Sequence, residues 1–360
     1  MLQVAILGAG IGEKHLDGFL ALPDRFKVAV VCDLDNERAA GLAARSNGCR
    51  IETEIDAVLA DPSIDLADIC LPPHLHAPVA KKAFESGKHV ICEKPVAGSV
   101  LEADAFVDAA HRAGKRFYPV FQYRYGRALQ QLAALQAADL VGKPLVGTAE
   151  THWNRGSDYY AVPWRGKWAS ERGGAILGHA IHIHDLIAQV FGPVTAVSAF
   201  VDTRVNPIET EDCAALALQT ASGGLVTSSV TLGSARDETR FRFVFEKLTV
   251  ESGRNPYAPG EAAWVIHARD PGLQAEVDDV LGGLADRDAF GPEGFAGLFL
   301  AIAMDLAGKP AQVVTAADGV RSIELVAAIY HAARTGAAVH LPLDRSLPIC
   351  ADWVPEPFRG

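Results

Sequence analysis

Residues 2–33 read LQVAILGAGIGEKHLDGFLALPDRFKVAVVCD. A Val- and Ile-rich run at 2–7 meets three closely spaced glycines, then a helix-period segment at 13–21, then a second apolar run at 27–32. That succession predicts strand, tight turn, helix and strand. Gly8-Ala9-Gly10-Ile11-Gly12 has G-x-G-x-G spacing, one residue shorter than the dinucleotide fingerprint. Glycine suits these positions because the turn is tight and the backbone must approach a pyrophosphate, whose charge then faces a helix N-terminus. Asp33 closes the second strand, where a carboxylate accepts hydrogen bonds from an adenosine ribose. The same residue could instead cap the helix expected at 35–46. Asp35 follows and no Arg occupies the next two positions, which favours NAD over NADP.

Working outward, the alternation continues. Strand-like runs at 66–71, 89–92 and 117–121 are separated by helix-period segments at 53–60, 76–87 and 99–113. Repeated alternation predicts a doubly wound parallel sheet, a Rossmann domain over 1–122 whose ligands bind at the carboxyl ends of the strands. Beyond 122 the pattern changes. A helix at 126–138 precedes strand-like stretches at 145–153, 194–202, 211–219, 224–232, 240–250 and 262–268, with a helix at 174–190 and two more at 294–307 and 316–335. Many strands with few crossover helices predict an α+β domain with a mainly antiparallel sheet over 123–360.

The 360 residues carry 33 basic and 44 acidic side chains, a formal charge of −11, with no Lys/Arg cluster that would hold a nucleic acid. No apolar run reaches the roughly 18 residues of a membrane span, and the first apolar segment lacks the basic leader of a signal peptide. Cys32, Cys49, Cys70, Cys92, Cys213 and Cys350 form no C-x-x-C, a pattern of free thiols in a reducing cytoplasm.

Residues 64–99, IDLADICLPPHLHAPVAKKAFESGKHVICEKPVAGS, join two strands through a helix and end in Glu93-Lys94-Pro95. Together with GAGIGEKH, Gln122-Tyr123-Arg124, Trp164-Arg165-Gly166, EDCAALALQ at 211–219 and TGAAVHLPL at 335–343, this segment resembles the glucose-fructose oxidoreductase / inositol dehydrogenase / MocA family of nicotinamide-dependent sugar dehydrogenases. The resemblance implies that Lys94 reaches both nicotinamide and substrate. An ammonium beside a carbinol oxygen would stabilise the alkoxide that develops as hydride leaves. It also implies that Leu71, Pro72, His76, Glu93, Gln122, Trp164 and Arg165 line the cofactor, that Lys94-Pro95 is cis, and that the protein is a homodimer or homotetramer. A packing role at a helix start remains open for His76.

Residues 173–185, GGAILGHAIHIHD, place three histidines and an aspartate within seven positions. On a helix His182 and His184 point about 200° apart, so the three cannot share one metal ion. The family pattern here is an acid or amide, three residues, His, two residues, Asp. It assigns His182 to accept the hydroxyl proton, a task that suits an imidazole near neutral pH. Gly178 stands where the resemblance expects the acid or amide; His179 would replace it or touch the sugar. Trp153, Trp164, Trp168, Tyr159 and Tyr160, interleaved with Arg155 and Arg165, suit the C–H faces and hydroxyl rims of a sugar. Arg155, Tyr160, His179, Gln122, Arg124 and Asp185 are the expected substrate contacts, with an interdomain ion pair open for Arg124. The expected function is NAD-dependent oxidation of a secondary hydroxyl on a sugar, cyclitol or glycoside, or reduction of the corresponding ketone. The same residues would serve an NAD-retaining lyase or glycosidase, or a sensor that binds cofactor without turnover.

Overall fold

The computed structural model describes residues 1–46, 48–284 and 291–358. Contacts divide it into two compact units, Met1–Gln122 with Gly294–Ile323, and Tyr123–Glu293 with Glu324–Gly360.

The first unit is a six-stranded parallel sheet. Its strands are β1 (Leu2–Leu7), β2 (Phe26–Cys32), β3 (Arg50–Glu52), β4 (Leu66–Ile69), β5 (His89–Cys92) and β6 (Phe117–Pro119), in the order β3-β2-β1-β4-β5-β6. Helices α1 (Gly12–Leu20), α2 (Asn36–Ala43), α3 (Ile55–Ala60), α4 (His76–Glu85) and α5 (Val100–Ala113) make the crossovers. The order reverses at the β1–β4 pair, where Val4 to Leu7 run beside Leu66 to Ile69. In such sheets the ligand crevice opens at that reversal. Strand β3 lies outside the sequence expectation: three residues with charged ends carry no apolar run to reveal them.

The helix Gly294–Leu306 joins this unit late in the chain. Phe299 stacks on Phe19 at 3.9 Å, and a Cβ at Gly18 would fall 2.8 Å from the Phe299 ring, so that glycine permits the close approach. Fully burying one such phenyl ring contributes about 1.5–3 kcal/mol. Tyr118 on β6 donates to Asp305 Oδ2 at 2.6 Å and closes the other end of the contact.

The second unit holds an eight-stranded sheet. Its strands are β7 (Pro144–Asn154), β8 (Val194–Asp202), β9 (Cys213–Thr220), β10 (Leu225–Thr231), β11 (Gly233–Phe245), β12 (Leu248–Glu251), β13 (Val265–Ala268) and β14 (Val339–His340), ordered β13-β12-β11-β7-β10-β9-β8-β14. All its pairings are antiparallel except β7 with β10. One face packs Phe241, Phe243, Phe245, Val226 and Leu216 into the core, while Phe200 and Leu225 stand exposed. The stretch expected as one strand at 240–250 is two, separated by a turn at Glu246-Lys247.

Candidate active site

The first unit builds a cradle from the glycine loop. Gly8 has φ +103°, and a Cβ there would lie 2.4 Å from the Cys70 carbonyl oxygen, so no other residue fits. At Gly10, by contrast, nothing lies within 4 Å of where a Cβ would be, which leaves the loop's crest open. Asp33 Oδ2 accepts from the Ala9 amide at 2.7 Å and Oδ1 from the Asp35 amide at 2.9 Å. The helix cap is Asp35, which accepts from Glu37 and Arg38 at 3.1 Å each. Asp33 therefore fastens the loop to the end of β2 and keeps lone pairs for a diol. Arg38 Nη1 comes within 4.0 Å of Asp33. The described residues thus fit a dinucleotide: an open crest at Gly10, a carboxylate after β2, and a buried Gln122 side-chain oxygen with no hydrogen-bond partner among them. Ile11 is exposed beside that crest, and Gly12 admits no Cβ because Ile6 Cγ2 would lie 2.7 Å away.

Glu93-Lys94-Pro95 follows β5 at the carboxyl edge of the same sheet. The Lys94-Pro95 peptide is cis. Glu93 Oε2 accepts from the Lys94 amide at 2.9 Å. His76 opens α4 and is buried; its ring nitrogens lie 2.7 Å from the carbonyl oxygens of Pro95 and Leu71. Burial lowers its pKa, against the two carbonyls that raise it. His76 thereby ties the turn after β5 to Leu71-Pro72, the turn after β4.

The second unit gathers the other expected residues. Ile176–Ala180 is a π-helical turn that runs into the α-helix Ile181–Phe191, where the sequence suggested one continuous helix. The histidines diverge as the periodicity predicts. His182 stacks on Tyr123 at 4.5 Å, His179 Nε2 lies 3.3 Å from the Tyr159 hydroxyl, and His184 Nε2 lies 3.1 Å from Ser228 Oγ. Burial lowers the His184 pKa to about 4, so that ring stays neutral and structural. At Gly178 nothing lies within 4 Å of where a Cβ would stand, so the missing side chain leaves room.

Arg124 grips Asp185 with Nε at 2.7 Å from Oδ2 and Nη2 at 2.5 Å from Oδ1. A paired guanidinium and carboxylate of this kind fix the helix against the start of the unit. Arg155 is likewise engaged, with Asp237 Oδ2 at 2.8 Å and the Tyr257 hydroxyl at 2.7 Å, its guanidinium 5.0 Å from the Trp153 ring centroid. Arg165 stacks 3.7 Å from the Tyr159 ring centroid and 4.8 Å from that of Trp164. Burial and nearby Arg155 lower its pKa, against Glu171. Tyr160 meets Tyr159 edge-on at 5.0 Å. The positive charges of Arg124 and Arg155 are thus balanced by Asp185 and Asp237.

Sequence reasoning missed three supports. Glu211, buried, accepts from the amides of Gly174 at 2.9 Å and Ile176 at 3.0 Å and so holds the first turn of the histidine segment. Tyr123 gives His182 a ring to stack on. His15 and Asp68 form a buried pair beneath the glycine loop. Each had a signal short of its role: Tyr123 lies in Gln122-Tyr123-Arg124, Glu211 opens EDCAALALQ, and Asp68 is a charge inside the apolar run LADI.

Comparison with known proteins follows the same division. Residues 2–121 match the oxidoreductase family with an NAD-binding Rossmann fold, and residues 129–251 match the GFO/IDH/MocA C-terminal domain. The levoglucosan dehydrogenase of Pseudarthrobacter phenanthrenivorans is 30% identical over 62% of this chain, a match that spans only 60% of that enzyme's own length. The D-glucoside 3-dehydrogenase of Escherichia coli is 25% identical over 94% of this chain and 97% of its own. The WlbA dehydrogenase from Chromobacterium violaceum, solved in complex with NADH and UDP-GlcNAcA, superposes with a TM-score of 0.82 at 28% identity, covering 95% of this chain and 96% of that one. No helix among the described residues is long and apolar enough to cross a membrane.

Proposed function

Because this chain belongs to the Gfo/Idh/MocA oxidoreductase family, we propose that it is an NAD-dependent dehydrogenase acting on a secondary hydroxyl of a sugar, cyclitol or glycoside. The observation that carries this reading is Lys94: it follows β5 at the carboxyl edge of the sheet, its amide held by its own neighbour Glu93. Relatives named for levoglucosan and D-glucosides point to the same substrate class. NAD, when bound, supplies the hydride acceptor. The carbinol loses a hydride and a proton and becomes a ketone. Lys94 donates a hydrogen bond to the carbinol oxygen and stabilises its developing negative charge. His182 accepts the hydroxyl proton, with Tyr123 fixing the plane of its ring. Asp33 receives the adenosine ribose, and its carboxylate, followed by that of Asp35, favours NAD over NADP even with Arg38 Nη1 within 4.0 Å. We also read the outer face of the eight-stranded sheet, with Phe200 83% and Leu225 55% exposed, as covered by another copy of the chain in a homodimer or homotetramer.

The test is a panel of polyols, aldoses and glycosides, levoglucosan and methyl glucosides among them, with NAD and NADP separately, following NADH or NADPH absorbance. On the best substrate, Lys94→Ala should lose about a hundredfold or more in kcat, the scale of one removed oxyanion donor. Wild-type turnover by that variant would sink the reading. Product formation without stoichiometric NADH would favour the cofactor-retaining lyase or glycosidase chemistry instead.

A further inference from the structure

His15 lies on α1, three residues past Gly12, and is fully buried. Its Nδ1 is 2.9 Å from Asp68 Oδ2 and 3.0 Å from Oδ1, and its Nε2 is 3.1 Å from Glu93 Oε1. An ionised carboxylate accepts and does not donate, so with both groups ionised each ring nitrogen carries hydrogen and the ring is an imidazolium. Burial opposes that charge, but Asp68 beside it raises the pKa well above that of a free histidine. The rings of Phe295 at 4.6 Å and Phe299 at 5.5 Å tilt against the imidazolium. Cys70 Sγ donates to Asp68 Oδ2 at 3.6 Å. His15, Asp68 and Cys70 are the one cluster of metal-ligating side chains among the described residues. Both ring nitrogens are already engaged with carboxylate oxygens, so the cluster forms a hydrogen-bonded relay.

The relay has a direction. From Asp68 on β4 it passes through His15 on α1 to Glu93 Oε1, and from Glu93 Oε2 to the Lys94 amide at 2.9 Å. We infer that His15 is a positioning residue for Lys94: it holds the Glu93 carboxylate in place, and that carboxylate fixes the backbone of Lys94. Without the ring, Asp68 and Glu93 would lose the side chain that joins them, and the Glu93 carboxylate would lose the contact that aims its Oε1. The geometric part stands on the contacts alone; its catalytic consequence rests on the reading of Lys94 given above.

Two variants and two readouts test this. His15→Phe keeps a ring against Phe295 and Phe299 and removes both hydrogen bonds; Glu93→Gln keeps the shape and removes the charge. In the NAD-loaded protein, amide hydrogen exchange at Lys94 should quicken about tenfold in both variants, the loss of one hydrogen bond to a charged group. Val90 and Ile91 within β5 should exchange as before. Pro95 has no amide, so two fragments with the same start, ending at Glu93 and at Pro95, differ by the Lys94 amide alone. Wild-type exchange at Lys94 in both variants would overturn the inference. The second readout is a double-mutant cycle on levoglucosan and methyl β-D-glucoside. His15→Phe should lower kcat about tenfold in the wild-type background and leave it unchanged in the Lys94→Ala background. An equal loss in both backgrounds would show that His15 does not act through Lys94. Undiminished turnover by Lys94→Ala itself would remove the catalytic reading of Lys94 and leave the exchange result standing.

Discussion

Glu211 makes the histidine segment sensitive to pH in a way that can be worked out. Its carboxyl is buried, and its two oxygens accept from the amides of Gly174 and Ile176. Burial pushes its pKa up from 4.5 to about 7, against those hydrogen bonds, which pull it down. In the unfolded chain the group ionises near 4.5, so between 4.5 and 7 the folded state binds a proton that the unfolded state has lost. Stability from this site is therefore whole below pH 4.5, declines as pH rises, and levels off above 7. The gap, at about 1.36 kcal/mol for each pH unit, makes the full swing about 3 kcal/mol.

Glu211→Gln isolates that swing. The amide cannot ionise, and its NH2 would face one of the two backbone donors, costing about 1 kcal/mol at every pH. Urea unfolding of both proteins at pH 5 and pH 8 gives the comparison, since histidines that titrate in the same window are common to both. The wild type should lose about 2–3 kcal/mol relative to the variant between the two pH values. A stability difference that stays constant within about 0.5 kcal/mol would refute the placement of a proton on buried Glu211.

Three further outcomes are expected. Asp33→Ala removes an acceptor from the Ala9 amide and from the proposed ribose site, so kcat/KM with NAD should fall about 10- to 100-fold and with NADP by less; an unchanged ratio of the two would argue against it. Gly178→Ala adds a methyl where nothing lies within 4 Å and should stabilise the helix by about 0.5–1 kcal/mol in thermal unfolding, whereas a fall would mean that the space is needed. Phe200→Glu places a charge on the exposed sheet face, and sedimentation should show a smaller particle than the wild type; an unaltered mass would place the subunit contact elsewhere.

What the sequence disclosed followed from how far apart the cooperating residues stand. Strands β1, β2, β4 and β5 are apolar runs bounded by turns, so periodicity found them. Two boundaries escaped for local reasons. The turn at Glu246-Lys247 contains neither glycine nor proline, and Asp270-Pro271-Gly272 reads as a turn although Asp270 caps the helix Pro271–Gly283 by accepting from Leu273 at 3.0 Å. The grouping of Gly294–Ile323 with the first unit depends on Phe19, Gly18 and Tyr118 meeting residues 187 or more positions away, which no window of sequence contains.

The same distinction divides the candidate site. Gly8, Gly12 and Asp33 belong to one strand-turn-helix-strand succession, with a positive φ at Gly8, Ile6 against Gly12 and Asp33 on the Ala9 amide, and such constraints leave motifs. Arg124, Arg155 and His15 are committed to partners 61, 82 and 53 positions away in sequence; the sequence reads the two arginines as substrate contacts, with an ion pair open for Arg124, and gives His15 no role. A lone arginine in an aromatic stretch looks like a ligand contact until its carboxylate is found, and a histidine just past a glycine loop looks like helix filler until it is seen between two acids. Side chains that would meet a ligand were therefore easier to nominate than those that hold them. The support reaches furthest at Lys94: Glu93 is its chain neighbour and visible in E-K-P, but the imidazole ring that meets Glu93 comes from α1, and the carboxylate that meets the ring from β4.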